Sequence, residues 1–344
     1  MILKHKSYSL PKLLTRMTLA ASVISPFHQA IANEGIQLMD GVSMGVLVEA
    51  EAAIEKHSKE ADTSDITLAT LEVSFAAQLS EFLKADLAFL YEEDDTEEFT
   101  VDVGTLTLGG TESFPYYLAI GKTYLPFGQY NSNFVSDPLT LELGESNQSL
   151  AAIGWTNDQI DLQVGLFNGD VDAQAANDEG GKIDDFFASF TYEVNSIFSL
   201  GLSYVSDMGE TDSLQDTVNE MITSLAYDDP AGIGVNLNLS YEKFDLIAEH
   251  LTAVDDFNAG TLTAEEAKPE ATNLEVAYHQ SEALTFAAKY ERSEDVPEQP
   301  TSQYGIASSH SCGDHLSFGL EYLYGKYEND NTRSLVTLQI AVEY

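Results

Sequence analysis

The sequence is poor in cysteine, in positive charge and in long apolar runs. A single cysteine, Cys312, excludes an intramolecular disulfide framework and any CxxC metal or redox motif. No run of about 18 apolar residues occurs, which excludes a helical membrane span. Only 15 Lys+Arg stand against 57 Asp+Glu, a formal net charge of −42 over 344 residues. Nucleic acid and anionic lipid are therefore excluded as partners held through bulk charge, since both need a basic surface. Disorder is the other expectation for so acidic a chain. A hydrophobic content of 44%, with 17 Tyr and 17 Phe, argues instead for a fold.

Much of the scarce positive charge lies in one place. Lys4, Lys6, Lys12 and Arg16 precede a mildly apolar stretch from Met17 to Ile24, and Ala30-Ile31-Ala32 offers a small-x-small cleavage site. Residues 1–32 thus read as a secretory signal peptide cut after Ala32. The segment holds four basic and no acidic residues, so the remainder carries 11 basic against 57 acidic residues, or −46.

Beyond it, apolar residues recur with a period of two. Val336, Leu338, Ile340, Val342 and Tyr344 alternate with Thr337, Gln339, Ala341 and Glu343. The same pattern runs through Ile233–Tyr241, Phe198–Tyr204 and Leu316–Tyr324. Each is a strand with one apolar face and one polar, small or acidic face. Sixteen such strands are expected, near 41–55, 66–79, 84–93, 99–109, 115–124, 147–156, 160–169 and 183–193, then 197–206, 231–241, 244–253, 272–281, 283–292, 303–310, 315–326 and 333–344.

A soluble sandwich and a transmembrane barrel both produce this alternation. Connection lengths separate them. Even-numbered strands are followed by tight turns such as Asn157-Asp158-Gln159, Val194-Asn195-Ser196 and Glu242-Lys243, odd-numbered ones by long segments such as 125–146, 170–182, 207–230 and 254–271. Short turns on one rim and long loops on the other indicate an all-β, antiparallel up-and-down transmembrane β-barrel of the outer membrane. Tyr and Phe recur at strand ends, among them Tyr91, Tyr192, Tyr204, Tyr241, Tyr278, Tyr290, Tyr322 and Tyr324, as interfacial girdles require. The closing strand ends on Tyr344, which resembles the C-terminal signal read by the barrel assembly machinery.

Sixteen strands enclose an aqueous lumen. With the apolar faces turned to lipid, Glu72, Asp86, Asp102, Asp161, Glu193, Glu275, Glu291 and Glu321 face inward, with Lys289 as the main basic companion. A wall of one sign concentrates counter-ions, so a plain pore of this kind favours cations.

The segment after the fifth strand carries the densest signal. Pro126, Gly128, Pro138 and Gly144 fix the course of an external loop over about 125–146, and Phe127, Tyr130 and Phe134 offer anchors for it. The loop either folds inward and narrows the channel or packs under the rim. Lys122, Tyr124, Phe127, Tyr130, Asp137, Glu142 and Glu145 are the constriction and substrate-path candidates. Lys122 falls on the lipid-facing parity, which is costly at membrane depth and places it at the rim or in a bulge. The run KTYLPFGQYNSNFVSDPLTLELGES, residues 122–146, closely resembles the motif region of the LbtU family of siderophore porins. That resemblance implies a plug-less outer-membrane barrel that takes up a ferric siderophore. An acidic lumen repels anionic chelates. The substrate is then neutral or cationic, unless Lys122, Lys182, Lys243, Lys289 and Arg292 are placed to offset the charge.

Catalysis is not expected. His310, Ser311, Cys312 and His315 cluster in sequence, but neighbours on a strand point to opposite faces. Acidic loop residues such as Asp170, Asp172, Asp178 and Asp212 lack EF-hand or RTX spacing, so no metal or cofactor is assigned. Thr217–Tyr227 is the one helical candidate beyond the signal. The expectation is an integral outer-membrane porin in contact with membrane lipid and a small-molecule substrate, with a homotrimer as one possible assembly. A general cation-selective porin is the nearest alternative. A barrel that anchors acidic external loops as an interaction surface is the alternative of another class.

Overall fold

The computed structural model describes residues 36–93, 99–171, 183–194, 197–221, 227 and 229–344. The expected signal segment 1–32, Lys182, and parts of the 170–182 and 217–227 segments lie outside the described residues. The strands are β1 (Ile36–Met39), β2 (Val42–His57), β3 (Thr63–Ser80), β4 (Leu83–Tyr91), β5 (Thr100–Thr111) and β6 (Phe114–Tyr124). Next come β7 (Asn147–Thr156), β8 (Ile160–Asn168), β9 (Ile183–Val194), β10 (Phe198–Val205), β11 (Gly232–Tyr241) and β12 (Phe244–Ala253). The chain ends with β13 (Glu270–Ser281), β14 (Leu284–Glu294), β15 (Ser302–Ser311), β16 (Leu316–Lys326) and β17 (Thr332–Glu343).

Each of β2 to β17 pairs antiparallel with its sequence neighbours, and β17 closes on β2 from Arg333↔His57 to Glu343↔Leu47. The result is a closed barrel of 16 strands. Closure satisfies every ladder without leaving an edge, which a sheet within a bilayer requires. Beside the expected strands stands β1, a four-residue arm that pairs with the first residues of β2, below the point where β17 ends.

The period-two pattern becomes two physically distinct faces. On β6, Leu118 and Ile120 are exposed while Ala119 between them is fully buried. On β17, Val336, Leu338 and Ile340 are exposed whereas Leu335 and Thr337 are buried. Large aliphatic and aromatic side chains thus cover the outside, where lipid meets them. The turns keep the expected asymmetry. Asn157 Oδ1 accepts from the backbone N–H groups of Gln159 and Ile160 at 2.9 and 2.8 Å, closing the β7–β8 turn on one rim. On the other rim, 125–146, 206–231 and 254–269 connect β6–β7, β10–β11 and β12–β13.

Two helices depart from the expectation. Asp212–Met221 (α2) begins five residues before the anticipated 217–227 segment, because its first turn is fixed by Leu214 and Gln215 N–H donating to Thr211 O. Leu139–Gly144 (α1) was not anticipated, since six residues are too few to display a helical period.

Candidate functional site

A loop inside a barrel has no ladder partner, so its backbone N–H groups need acceptors. In the 125–146 loop the wall supplies them as carboxylates. Glu249 on β12 accepts from Gln129 N (2.6 Å), Tyr130 N (3.1 Å) and Thr140 Oγ1 (2.8 Å). Tyr130 lies in the left-handed region (φ 55), which makes two successive N–H groups converge on one anion. Glu275 on β13 accepts from Ser132 Oγ (3.0 Å), Asn133 N (2.8 Å) and Asn133 Nδ2 (2.6 Å). Glu321 on β16 accepts from Val135 N (2.8 Å), Ser136 N (3.0 Å) and the Ser136 hydroxyl. Glu291 on β14 caps the start of α1 by accepting from Leu139 N at 2.9 Å. Four wall carboxylates therefore hold the loop across β12 to β16.

Apolar packing reinforces this course. Phe134 lies against Ala277, Ala287 and Ala307, which are in register on β13, β14 and β15. A Cβ on Gly305 would meet Phe134 Cε1 at 2.5 Å, and one on Gly319 would meet Val135 Cγ2 at 2.6 Å. The wall is thus pared down where the loop presses closest. Phe127, Tyr130, Leu139, Leu141 and Leu143 join a buried cluster with Met208, Leu214, Leu251, Phe257 and Val296, so the other external loops pack onto this one.

The anticipated residues divide accordingly. Phe127 and Tyr130 are buried anchors within that cluster. Tyr124 donates to Asp102 Oδ1 at 2.8 Å, and Asn147 Nδ2 donates to the same oxygen at 2.8 Å. Asp102 is the extra residue of a bulge, at which β5 passes from Ala88↔Val103 to Phe89↔Val101. Asp137 and Glu145 are buried beside α1, and Glu142 accepts from Gln299 Nε2 at 3.1 Å. Lys122 is corrected: it shares the outward parity of Leu118 and Ile120, is exposed, and donates to Val101 O at 3.2 Å, so it stands off the channel path. Arg292 is likewise outward and exposed, paired with Glu294 at 2.6 Å.

Among the inward acids, Asp161 accepts from Tyr117 Oη at 3.2 Å, and Glu193 lies half-buried near the short-turn end of β9. Asp86 pairs with Lys84 at 3.1 Å, a lysine that the alternation of Leu83, Ala85 and Leu87 already marks as inward. Lys289 is buried beneath Phe134, 4.6 Å from its ring centroid and 3.0 Å from Glu291. It neutralises the loop's socket and does not front the lumen. Glu249 escaped sequence reasoning because Ile247 and Leu251 make its own face look apolar. Glu49 and Glu51, also on the inward parity, escaped because Ala50, Ala52 and Ala53 blur the pattern of β2.

Where the wall continues from β16 through β17, Glu49 and Glu51 of β2 stand near Glu72 of β3 and Gln339 of β17. Gln339 Nε2 donates to Glu51 Oε1 at 3.1 Å. Among the described residues no ion pair reaches Glu49, Glu51 or Glu72. Outside the strands, the loop's return leg is braced by 206–231: Ser146 Oγ donates to Glu210 O, and Asp212 N donates to Glu145 O, both at 2.8 Å. The Glu210 carboxylate accepts from Asp170 N (2.6 Å) and Val171 N (3.0 Å), yet burial raises its pKa to about 7. Burial also holds Asp207 well above the usual carboxylate range, and Tyr227 Oη donates to it at 2.5 Å.

The family model of Gram-negative porins matches residues 37–332. The chain belongs to the Gram-negative porin family. This places the barrel in the outer membrane and agrees with the closed sheet and inward loop. Among solved structures, this porin is similar to OprB of Pseudomonas putida, with TM-score 0.64 and 10% identity over 88% of this chain and 94% of that one. It is also similar to OmpF of Salmonella typhi, solved in complex with daunomycin, with TM-score 0.59 and 13% identity over 89% and 98%. These likenesses concern the fold alone. Among curated proteins, an UPF0422 protein of Legionella pneumophila (strain Lens) is 22% identical over 72% of this chain and 50% of its own length. One of Coxiella burnetii is 23% identical over 62% and 48%. The chain spans about half the length of the curated relatives it matches.

Proposed function

We propose that this porin is a passive diffusion channel for cationic and neutral hydrophilic solutes, with the 125–146 loop, the third on the long-loop rim, as its constriction. One observation carries the reading: the division of the inward acids. Those of β12 to β16 spend their oxygens on the loop, whereas Glu49, Glu51 and Glu72, on the β2–β3 stretch of wall just beyond β17, meet no basic partner. A file of carboxylates without counter-charges concentrates cations and excludes anions. The sequence 122–146 adds a substrate class, since its resemblance to siderophore porins supports a ferric siderophore as cargo. The sign of the free wall restricts that cargo to chelates without net negative charge. Delivery to the membrane rests on the signal segment 1–32, and a homotrimer is the assembly in keeping with the fold.

Reversal potentials in planar bilayers under a salt gradient test the channel, with cation selectivity expected. Anion selectivity would overturn the reading, and absence of conductance would favour a barrel that anchors its external loops as an interaction surface. Radiolabelled ferric-siderophore uptake in a deletion strain tests the cargo. Unchanged uptake removes the siderophore and leaves the general cation-selective pore.

A further inference from the structure

Arg333, the second residue of β17, belongs neither to the free carboxylates nor to the four anchors of the loop. It shares the inward parity of Leu335 and Thr337, stands at the long-loop end of its strand and is buried. Among the described residues no ion pair reaches it. A buried cation is costly unless its donors find acceptors, so the acceptor that Arg333 does meet carries weight.

That acceptor leads to the third loop. Arg333 Nη2 donates to Gln303 Oε1 at 2.9 Å, and Gln303 Nε2 donates to Glu291 Oε2 at 2.8 Å. The other oxygen of Glu291 accepts from Leu139 N at 2.9 Å, at the start of α1. Register shows how a side chain on β17 reaches one on β15. Gly325 of β16 pairs with Gln303 on one side and with Arg333 on the other. A Cβ on Gly325 would lie 3.5 Å from Gln303 Oε1 and 3.1 Å from Pro300 Cβ. Its absence leaves the lane by which the guanidinium crosses β16. Gln303 and Glu291 are both buried, so bulk water does not compete for these bonds.

The chain of bonds has a direction. A guanidinium only donates, and the Glu291 carboxylate, paired with Lys289, only accepts, whereas an amide does both. Facing Arg333, Gln303 presents its oxygen there, which turns its NH2 toward Glu291. Facing an acceptor instead, the amide would turn over and set its oxygen against the carboxylate.

We infer that Arg333 is a positioning residue for the constriction: through the Gln303 amide it orients the Glu291 carboxylate that caps α1, three strands away. The inference builds on the third loop being the constriction, and the test reads the two separately.

Hydrogen exchange of the Leu139 amide in the full barrel reads the relay, and single-channel recording reads the constriction. Heat-modifiable migration confirms that each variant forms the barrel. Arg333→Met removes every donor and should speed Leu139 exchange about tenfold, as expected when a hydrogen bond to a charged group is weakened. Gln303→Leu should do the same, and the double variant should be no worse than either, because both break one chain of bonds. Arg333→Lys keeps a donor and should retain most of the protection. Arg333→Glu should exceed the loss in Arg333→Met, because it forces the amide to turn over. Open-channel noise should rise in step with exchange. Parent-like exchange in Arg333→Met overturns the relay. So do losses that add in the double variant, as a charge effect or general loosening would give, and an equal loss in Arg333→Lys. Faster exchange with a quiet current upholds the relay and counts instead against the loop as the constriction.

Discussion

Glu249, Glu275, Glu291 and Glu321 on β12 to β16 each accept an N–H from the third loop, while Glu49, Glu51 and Glu72, a little further round the sheet on β2 and β3, take no loop N–H among the described residues. The residue type and the strand parity are the same, and the outcome differs because a loop lies over one wall. Burying a carboxylate is costly unless several donors satisfy it, and burying a loop is costly unless acceptors meet its N–H groups. Each cost is offset by the other on β12 to β16. On β2 and β3 no loop donor reaches the carboxylates among the described residues, and Glu51 and Glu72 stay partly exposed. One wall uses acids as loop anchors and the other as a field.

The sharpest way to break this comparison is to neutralise each set separately. Glu49→Gln/Glu51→Gln/Glu72→Gln should lower the cation-to-anion permeability ratio at least about five-fold, because one charge at contact range is worth ~1 kcal/mol even in water. Its single-channel conductance should stay steady. Glu249→Gln/Glu275→Gln/Glu321→Gln should instead leave the ratio near the parent's and raise conductance with added open-channel noise. It removes charge-assisted hydrogen bonds worth about 1.5–3 kcal/mol each. If both triple variants change selectivity alike, the division between the walls is wrong. Deleting 129–143 should raise conductance further, and an unchanged value would return the loop to a packed position under the rim.

A smaller effect is expected where apolar packing and not charge holds the loop. Gly305→Val places a branched side chain where a single Cβ already lies 2.5 Å from Phe134 Cε1 and 2.6 Å from Leu323 Cδ2. Overpacking of this kind costs about 1–3 kcal/mol, enough to displace Phe134 from its alanine pad. Single-channel recordings should show flicker with unaltered ion preference. A quiet channel would mean that Phe134 contributes little to the loop's position.

Most of the fold was legible because lipid enforces the alternation: each sequence segment with a clean period of two, such as 333–343, lies in a strand of the barrel. The inward face is less readable, since nothing obliges it to be uniformly polar where a loop packs. Glu249 is flanked on its own face by Ile247 and Leu251, and only the outward parity of Phe244 and Leu246 betrays it. The partners of the inward acids were not readable at all. Glu321 is 185 residues from Ser136 in sequence, and no local pattern records such a contact. Lys122 was readable as a problem, a cation on a lipid-facing parity, and its rim position resolves that problem without any part in the channel.

The smallest expected effect concerns the brace behind the loop. Glu210 titrates at about 7 in the folded protein against 4.5 for the free side chain, raised by burial and by Asp185 and Asp170 nearby. Between those two values the folded state holds more protons than the unfolded one, so stability falls as pH rises through this window. The contribution is fully present below about 4.5 and is lost above about 7. Packing of 206–231 against the return leg of the third loop should therefore be tighter at pH 5 than at pH 8. Hydrogen exchange of Asp170, Val171 and Asp212 amides, corrected for the intrinsic pH dependence, reads it directly. Glu210→Gln should shrink the difference, because the amide has no charge to lose and Asp207 is the titrating group left in the segment. If the parent's protection is the same at both values, Glu210 is hydrated in the open channel and does not brace the anchored wall.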